Sequence, residues 1–158
     1  GIDAIANIVA GLNTEQGRIL KSWFVSENPD TSRKVMFMGA LMHILEMDDL
    51  FLKIIDREIP ANIIYEDEIA LAFEDINPQA PTHILVIPKT HIPKLSDADS
   101  SQKDILGHLM WATGEIARQL DIEDAYRVVV NNGAKAGQSV FHLHLHILSG
   151  RVFSWPPG

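Results

Sequence analysis

Polar and apolar residues alternate, or form short apolar runs, in five segments of the chain, and these patterns predict five β-strands. The predicted strands cover residues 63–65, 70–73, 82–88, 127–131 and 141–148. The last of them is the clearest, because histidines alternate strictly with leucine and isoleucine there. Such alternation places the two sets of side chains on opposite faces of a sheet.

Two further segments repeat apolar residues at helical spacing. A short helix is predicted after Asp48 and Asp49, which can cap it, and it should end before Pro60. A longer helix is predicted over residues 100–120. Its apolar stripe consists of Leu109, Ala112, Ile116 and Leu120. Its candidate caps are Asp97, Asp99 or Ser100. Without a regular βαβ alternation, these elements predict an α+β domain in which two helices cover one face of a five-stranded antiparallel sheet.

Length and charge narrow the possible functions. The chain has 158 residues, which suits one catalytic domain with a substantial core. Its 13 basic and 21 acidic residues give a net charge of −8, so a broad electrostatic grip on nucleic acid is not expected. The absence of cysteine excludes disulfides and a thiol nucleophile. Apolar stretches fall short of the ~20 residues of a membrane helix, so we expect a soluble protein.

Residues 1–46 give the weakest pattern. Their charges are mixed, and 28–32 read as a turn or linker. We expect an N-terminal extension of short helices or a leader that precedes the domain at 47–158. A transit peptide should be basic and poor in acids. We therefore expect a cytoplasmic protein, with organelle import through the extension as the alternative.

Three histidines, His142, His144 and His146, share one face of the last predicted strand. The intervening apolar residues should face the core. Each imidazole must be desolvated beside the others, which is costly in the absence of a chemical role. Two chemistries use such a row: a metal site, or a neutral imidazole that attacks phosphorus while its neighbours hold phosphate oxygens.

The loop at 131–139 precedes the histidines and contains two glycines, amide side chains and a hydroxyl. Glycine allows backbone N–H groups to approach an anion closely. Alone, this segment reads as an ordinary hairpin connection. Beside the histidine row, it favours the phosphorus chemistry.

Residues 142–148 read His-Leu-His-Leu-His-Ile-Leu, which fits the signature His-φ-His-φ-His-φ-φ, where φ is apolar. Supporting segments lie at 51–60, 72–83, 85–89 and 155–158. On these residues, the chain from Asp48 to Gly158 resembles the histidine-triad (HIT) family, and within it the nucleotide-binding Hint branch. The resemblance implies a HIT-like fold for 47–158 and a homodimer in which the sheet is extended across the two subunits. Met110 and Trp111, outside the helical stripe, offer a second apolar face for such a partner.

The resemblance also implies a metal-independent hydrolase without a cofactor, a purine nucleoside phosphoramidase that acts on conjugates of AMP or GMP. His144 would attack the α-phosphorus of a nucleoside 5′-phosphoramidate, leaving a nucleotidyl-histidine that water cleaves. His142 would orient His144, and His146 would face the phosphate oxygens. His83 would be the fourth histidine of the family, and Ser139 a neutral donor in the same catalytic set.

Further residues match the family's nucleotide site. Asp75 would accept hydrogen bonds from the ribose hydroxyls, although by itself it reads as a turn residue. Phe51, Ile54, Phe73 and Ile76 would form the slot for the base, although such residues are usually core. The other residues that the resemblance places near the nucleotide are Asn131, Gly137, Ser139, Val140 and Trp155.

Several alternatives stay open at this level. A related enzyme could cleave dinucleoside polyphosphates, or the chain could bind nucleotides without catalysis as a scaffold. A zinc hydrolase is not expected, because no cysteine or nearby carboxylate completes an evident site. Residues 135–136, 149–151 and 152–154 depart from the pattern of near relatives, which leaves the leaving group and adenine or guanine preference open. His43, His91 and His108 match no motif position and receive no role.

Overall fold

The computed structural model of the protein describes residues 50–158, and its centre is a five-stranded antiparallel sheet. The strands are β1 (Ile63–Glu66), β2 (Ala70–Glu74), β3 (Thr82–Pro88), β4 (Arg127–Val129) and β5 (Leu145–Ser149), in the order β1-β2-β3-β5-β4. Helix α1 covers residues 50–55, and helix α2 is Lys103–Gln119. The predicted α+β class is confirmed.

The two helices cover opposite faces of this sheet. Ala70 and Ala72 of β2 belong to the same buried cluster as the apolar stripe of α2. The alternate residue Leu71 joins a second cluster with Phe51 and Ile54 of α1. The predicted arrangement, with both helices on one face, is therefore wrong. Alternation along a strand sorts side chains into two faces, but it does not say which helix covers which face.

Helix α2 matches its sequence pattern closely. Three members of its predicted stripe are confirmed, because Leu109, Ala112 and Ile116 are buried against the sheet. The fourth is wrong: Leu120 follows the last helical residue, Gln119, and is exposed. Among the three candidate caps, Asp99 caps the short turn that precedes α2: Asp99 Oδ1 accepts from the Ser101 N–H at 2.8 Å. The N-cap of α2 itself is Gln102, whose side chain makes no capping hydrogen bond. The 3₁₀ turn Ser100–Gln102 then leads into the α-helix.

Strand β5 is shorter than predicted. The pattern indicated a strand over 141–148, whereas the paired residues are Leu145–Ser149. Val86 pairs with Leu145, and two residues later β3 ends at Pro88, which has no N–H to continue the ladder. Instead, Leu143 N donates to Ile92 O at 2.6 Å. As a result, His142 and His144 lie on an irregular segment before the strand.

Some predictions concern parts of the chain that the structure does not describe. The N-terminal extension at 1–46, and the caps Asp48 and Asp49, lie outside residues 50–158 and stay predictions. Within residues 50–158, no helix is long and apolar enough to cross a membrane. Met110 and Trp111 of α2 are exposed, and the homodimer also stays a prediction.

Candidate active site

The histidine rings gather on the α1 face of the sheet, while Leu145 and Ile147 of β5 face α2. The ring centroids of His144 and His146 are 4.9 Å apart. Phe51 of α1 meets the His144 ring edge-on, with centroids 5.1 Å apart. Helix α1 therefore covers the histidines and shields their rings from solvent.

Hydrogen bonds fix the tautomer of His144. His142 Nε2 lies 2.6 Å from Pro88 O, and His144 Nδ1 lies 2.7 Å from His142 O. A carbonyl oxygen only accepts, so both of these ring nitrogens carry hydrogen. The neutral His144 ring therefore has its lone pair on Nε2. The predicted orientation of His144 by His142 takes place through the backbone carbonyl.

A second chain of hydrogen bonds fixes His146. The Gln79 N–H donates to His83 Nδ1 at 3.0 Å, so the hydrogen of the neutral His83 ring is on Nε2. His83 Nε2 lies 2.9 Å from His146 Nδ1 and donates to it. The hydrogen of His146 is consequently on Nε2. Among residues 50–158, His146 Nε2 is the buried side-chain nitrogen or oxygen that has no hydrogen-bond partner.

Burial keeps these rings uncharged at neutral pH. Desolvation lowers the pKa of His142 to about 4, although the carbonyl of Pro88 opposes the shift. Desolvation, reinforced by the neighbouring histidines, lowers the pKa of His146 to about 4. Desolvation likewise lowers the pKa values of His144 and His83, with nearby Asp75 opposing both shifts. Neutral rings are what the tautomer assignment requires, and a neutral His144 can act as a nucleophile.

A pocket of about 310 Å³ opens beside His144 and His146. Its predicted lining residues are Phe51, Ile54, Phe73, Asp75, Ile76, Ser139 and Val140. Sequence reasoning missed the rest of the wall, which consists of Leu50, Ile59, Pro60, Ala61, Glu74 and Leu85. Apolar side chains thus form most of the wall, and Glu74, Asp75, Ser139 and the two histidines are its polar residues.

Asp75 is one of the polar residues that line this pocket. Its Oδ1 accepts from the Asn77 N–H at 2.8 Å, which is the turn interaction that its sequence context indicates. Its Oδ2 lies 3.5 Å from His83 Nε2. One carboxylate therefore combines a structural contact with a position on the pocket wall.

The loop before the histidines is held by a buried side chain. Gln138 Oε1 accepts from the Gly133 N–H at 2.9 Å, and Gln138 Nε2 donates to Val140 O at 3.0 Å. Gly137 has a φ of 99°, which favours glycine, and a Cβ there would lie 3.5 Å from the Asn131 side chain. The loop thus presents Ser139 to the pocket in a defined conformation.

The structure does not bring every predicted site residue to the pocket wall. Asn131 and Gly137 lie beside each other but outside the lining. Trp155 is 83% exposed and lies outside it too. His142 and His83 are buried behind the lining and reach it through their hydrogen bonds to His144 and His146.

One expectation about metals is wrong. The sequence indicated no nearby carboxylate for a metal site, yet Asp75, His83 and His146 each offer a ligand atom, all within 4.8 Å of one another. Asp75 is distant from the triad in sequence, and antiparallel pairing of the central strands brings it close. Among residues 50–158, these three side chains form the group that could hold a cation.

Comparisons with known proteins identify the family of this chain. A family model described as the HIT domain matches residues 56–153, so the chain belongs to the HIT family. An uncharacterised HIT-like protein of Synechocystis sp. is 60% identical over 111 residues, which cover 70% of this chain and 97% of the relative. The family-level resemblance is confirmed, and the Hint branch stays a prediction.

Solved structures share the fold. A HIT family hydrolase from Legionella pneumophila has a TM-score of 0.67 and 44% identity, over 69% of this chain and 98% of that chain. A histidine triad nucleotide-binding protein from Candida albicans has a TM-score of 0.60 and 32% identity, over 68% of this chain and 82% of that chain.

Proposed function

We propose that this protein is a purine nucleoside phosphoramidase of the Hint branch, which hydrolyses the P–N bond of nucleoside 5′-phosphoramidates through a nucleotidyl-His144 intermediate. One observation carries the proposal. The rings of His144 and His146 line the same pocket with centroids 4.9 Å apart, His144 Nε2 has a lone pair, and His146 Nε2 is a buried N–H without a partner. A phosphate supplies what each lacks, an electrophilic phosphorus and an acceptor oxygen.

The reaction has two displacements. In the first, the His144 Nε2 lone pair forms a bond to phosphorus as the P–N bond to the amine breaks, and the amine takes up one proton. In the second, water attacks phosphorus, the Nε2–P bond breaks, and one proton returns to solvent with the nucleoside monophosphate. The His144 ring is positively charged in the nucleotidyl-histidine intermediate. The hydrogen bond from His144 Nδ1 to His142 O is therefore stronger in the intermediate than in the free protein.

The proposed binding site of the nucleotide is the same pocket. The apolar wall around Phe51, Ile54 and Phe73 suits a purine face, and Asp75 Oδ2 suits the ribose hydroxyls. The nucleotide-binding name of the Candida albicans protein supports this class of substrate. A homodimer belongs to the proposal as well, because β1 and β4 are the edge strands and α2 exposes Met110 and Trp111.

A metal-dependent hydrolase is the second candidate, because Asp75, His83 and His146 lie close together. Geometry disfavours it. Tetrahedral zinc with Zn–N bonds of ~2.05 Å separates two ligand nitrogens by about 3.3 Å. His83 Nε2 and His146 Nδ1 are 2.9 Å apart, which is a hydrogen-bond distance.

The test is turnover of a fluorogenic adenosine 5′-phosphoramidate by the wild type, by His144→Ala and by His108→Gln. His108 lies on α2, contacts Asp67 just after β1, and is outside the pocket lining, so its variant is the matched histidine control. We expect turnover by the wild type and the control, and loss in His144→Ala. A silent wild type, or an active His144→Ala, would contradict the proposal.

Two further arms separate the alternatives. Faster hydrolysis of a diadenosine polyphosphate than of the phosphoramidate would assign the chain to dinucleoside polyphosphate hydrolysis. Nucleotide binding without turnover of either compound would indicate a noncatalytic binding protein.

A further inference from the structure

His91 is an exposed histidine that the proposed mechanism does not use, although it contacts the triad. Its Nδ1 lies 3.1 Å from Nδ1 of His142, and the ring centroids are 5.1 Å apart. His142 is fully buried, and its other ring nitrogen donates to Pro88 O. His91 therefore connects solvent to the residue that holds the nucleophile.

The hydrogen on His142 Nε2 leaves a lone pair on Nδ1 of the neutral ring. A buried lone pair requires a donor, and the group within hydrogen-bond distance is His91 Nδ1. His91 must then carry its hydrogen on Nδ1 and turn Nε2 outwards. If this donor were lost, His142 Nδ1 would be a buried acceptor without a partner. The cost of that state would favour another orientation of the ring.

The backbone around His91 reinforces this contact. Ile92 O accepts from the Leu143 N–H at 2.6 Å, directly between His142 and His144. Pro93 O accepts from Gln138 Nε2 at 2.7 Å, at the loop that precedes the triad. Three consecutive residues, 91–93, thus each bind the segment that carries the nucleophile. Because β5 starts only at Leu145, these bonds replace the sheet pairing that would otherwise hold His144.

We infer that His91 is a positioning residue for the nucleophile: its Nδ1–H holds the His142 ring, and the His142 carbonyl in turn holds His144 with Nε2 towards the phosphorus. The inference rests on the proposed function. His91 is not among the residues that line the pocket. Its loss should slow the chemical step and leave nucleotide binding unchanged.

The test compares His91→Asn with His91→Leu. The asparagine amide nitrogen can occupy the place of the imidazole Nδ1, two bonds from Cβ, and donate to His142. Leucine has nearly the same size and shape as asparagine, but it has no hydrogen-bond donor. For a buried acceptor left unpaired, we expect the single-turnover rate of amine release to fall about 5- to 100-fold in His91→Leu with unchanged KM. In His91→Asn it should stay within about threefold of the wild type, since a donor is kept.

Nitrogen NMR of the ring resonances gives a readout that does not depend on turnover. We expect His142 to show a protonated Nε2 and His144 a protonated Nδ1 in the wild type and in His91→Asn. In His91→Leu these signals should shift or broaden. Thermal melts of both variants show whether each is folded at the assay temperature.

Each outcome bears on the inference. Equal single-turnover rates in His91→Leu and the wild type would overturn it, as would a loss in both variants while the ring signals stay unchanged. A silent wild type would reject the proposed function instead. The NMR comparison would then decide alone: altered His142 and His144 signals in His91→Leu support positioning, and unaltered signals overturn it.

Discussion

The two faces of strand β5 do different work. Leu145 and Ile147 face α2 and pack in an apolar cluster that requires no hydrogen bonds. His146, between them, points to the other face, where α1 and the pocket lie. Along β5, the side chains that face α2 therefore contribute buried apolar surface, whereas His146 on the opposite face belongs to the candidate site. We expect substitutions of the first kind to affect mainly stability and substitutions of the second kind to affect mainly turnover.

The reactive face depends on backbone atoms from distant segments. Pro88 O, Gln79 N and His142 O determine where the ring hydrogens lie. Each contact fixes one ring nitrogen, and Nε2 of His144 and of His146, two residues that line the pocket, keep their lone pair and their hydrogen for a ligand. The apolar face has no such requirement, because burial alone stabilises it.

The largest expected effect is on the reactive face. His144→Ala removes the nucleophile, and we expect kcat/KM to fall by ~10⁴-fold or more, as when other covalent catalysts lose theirs. The melting temperature should change little, because the apolar cluster against α2 is untouched. Steady-state kinetics and a thermal melt on the same sample measure both. A kcat/KM within tenfold of the wild type would remove His144 from the chemistry.

The reverse pattern is expected for Ile147→Ala. Ile147 is fully buried against α2, so the cavity should lower the free energy of unfolding by roughly 2–5 kcal/mol. The kcat should stay near the wild-type value at a temperature where the variant is folded. Denaturant unfolding measures the free energy of unfolding of the variant, and steady-state kinetics measure its kcat. A kcat loss as large as that of a triad variant would show that the faces are not independent.

His146→Ala, one position earlier on the same strand, removes the buried, unpartnered N–H of a residue that lines the pocket. Loss of one donor to a phosphoryl oxygen costs ~10²–10³ in kcat in comparable sites. The effect should therefore be smaller than that of His144→Ala. Single-turnover kinetics distinguish them. An equal loss in both variants would instead assign His146 to the covalent step.

The neutral histidines should make stability depend on pH. In the unfolded chain they protonate near the ordinary pKa of 6.5, whereas burial holds the pKa values of His142 and His146 at about 4. The folded state therefore binds fewer protons between these values. Its stability should be fully present above pH 6.5 and should fall as pH drops towards 4, by about 3 kcal/mol for His142 alone.

Denaturant midpoints between pH 4 and 8 measure this dependence. His146→Gln is the control, because glutamine does not titrate and the slope should flatten in this variant. An identical slope in both proteins would show that His146 titrates normally.

The smallest effect is expected from chelation. If His83 and His146 share a hydrogen bond, EDTA should leave kcat/KM unchanged. Loss of turnover that Zn²⁺ restores would favour the metal-dependent candidate formed by Asp75, His83 and His146.

The sequence predicted which side chains gather at the candidate site better than it predicted the arrangement of helices and strand ends. The alternation at 142–148 identified the histidines and the buried leucines, and the helical stripe of α2 was right except at the exposed Leu120. The start of β5 could not be read locally, because it depends on where its partner β3 ends at Pro88. The contact between His91 and His142 joins residues 51 positions apart, so no local pattern marks it. Asp75 reaches His83 and His146 for the same reason.

The central claim, that His144 Nε2 attacks phosphorus, can be tested by trapping the intermediate. The protein is mixed with an adenosine 5′-phosphoramidate, quenched within one turnover and digested for mass spectrometry. The account predicts a transient adenylyl adduct on His144, absent from His144→Ala. Turnover with no adduct, or an adduct on another histidine, would contradict it.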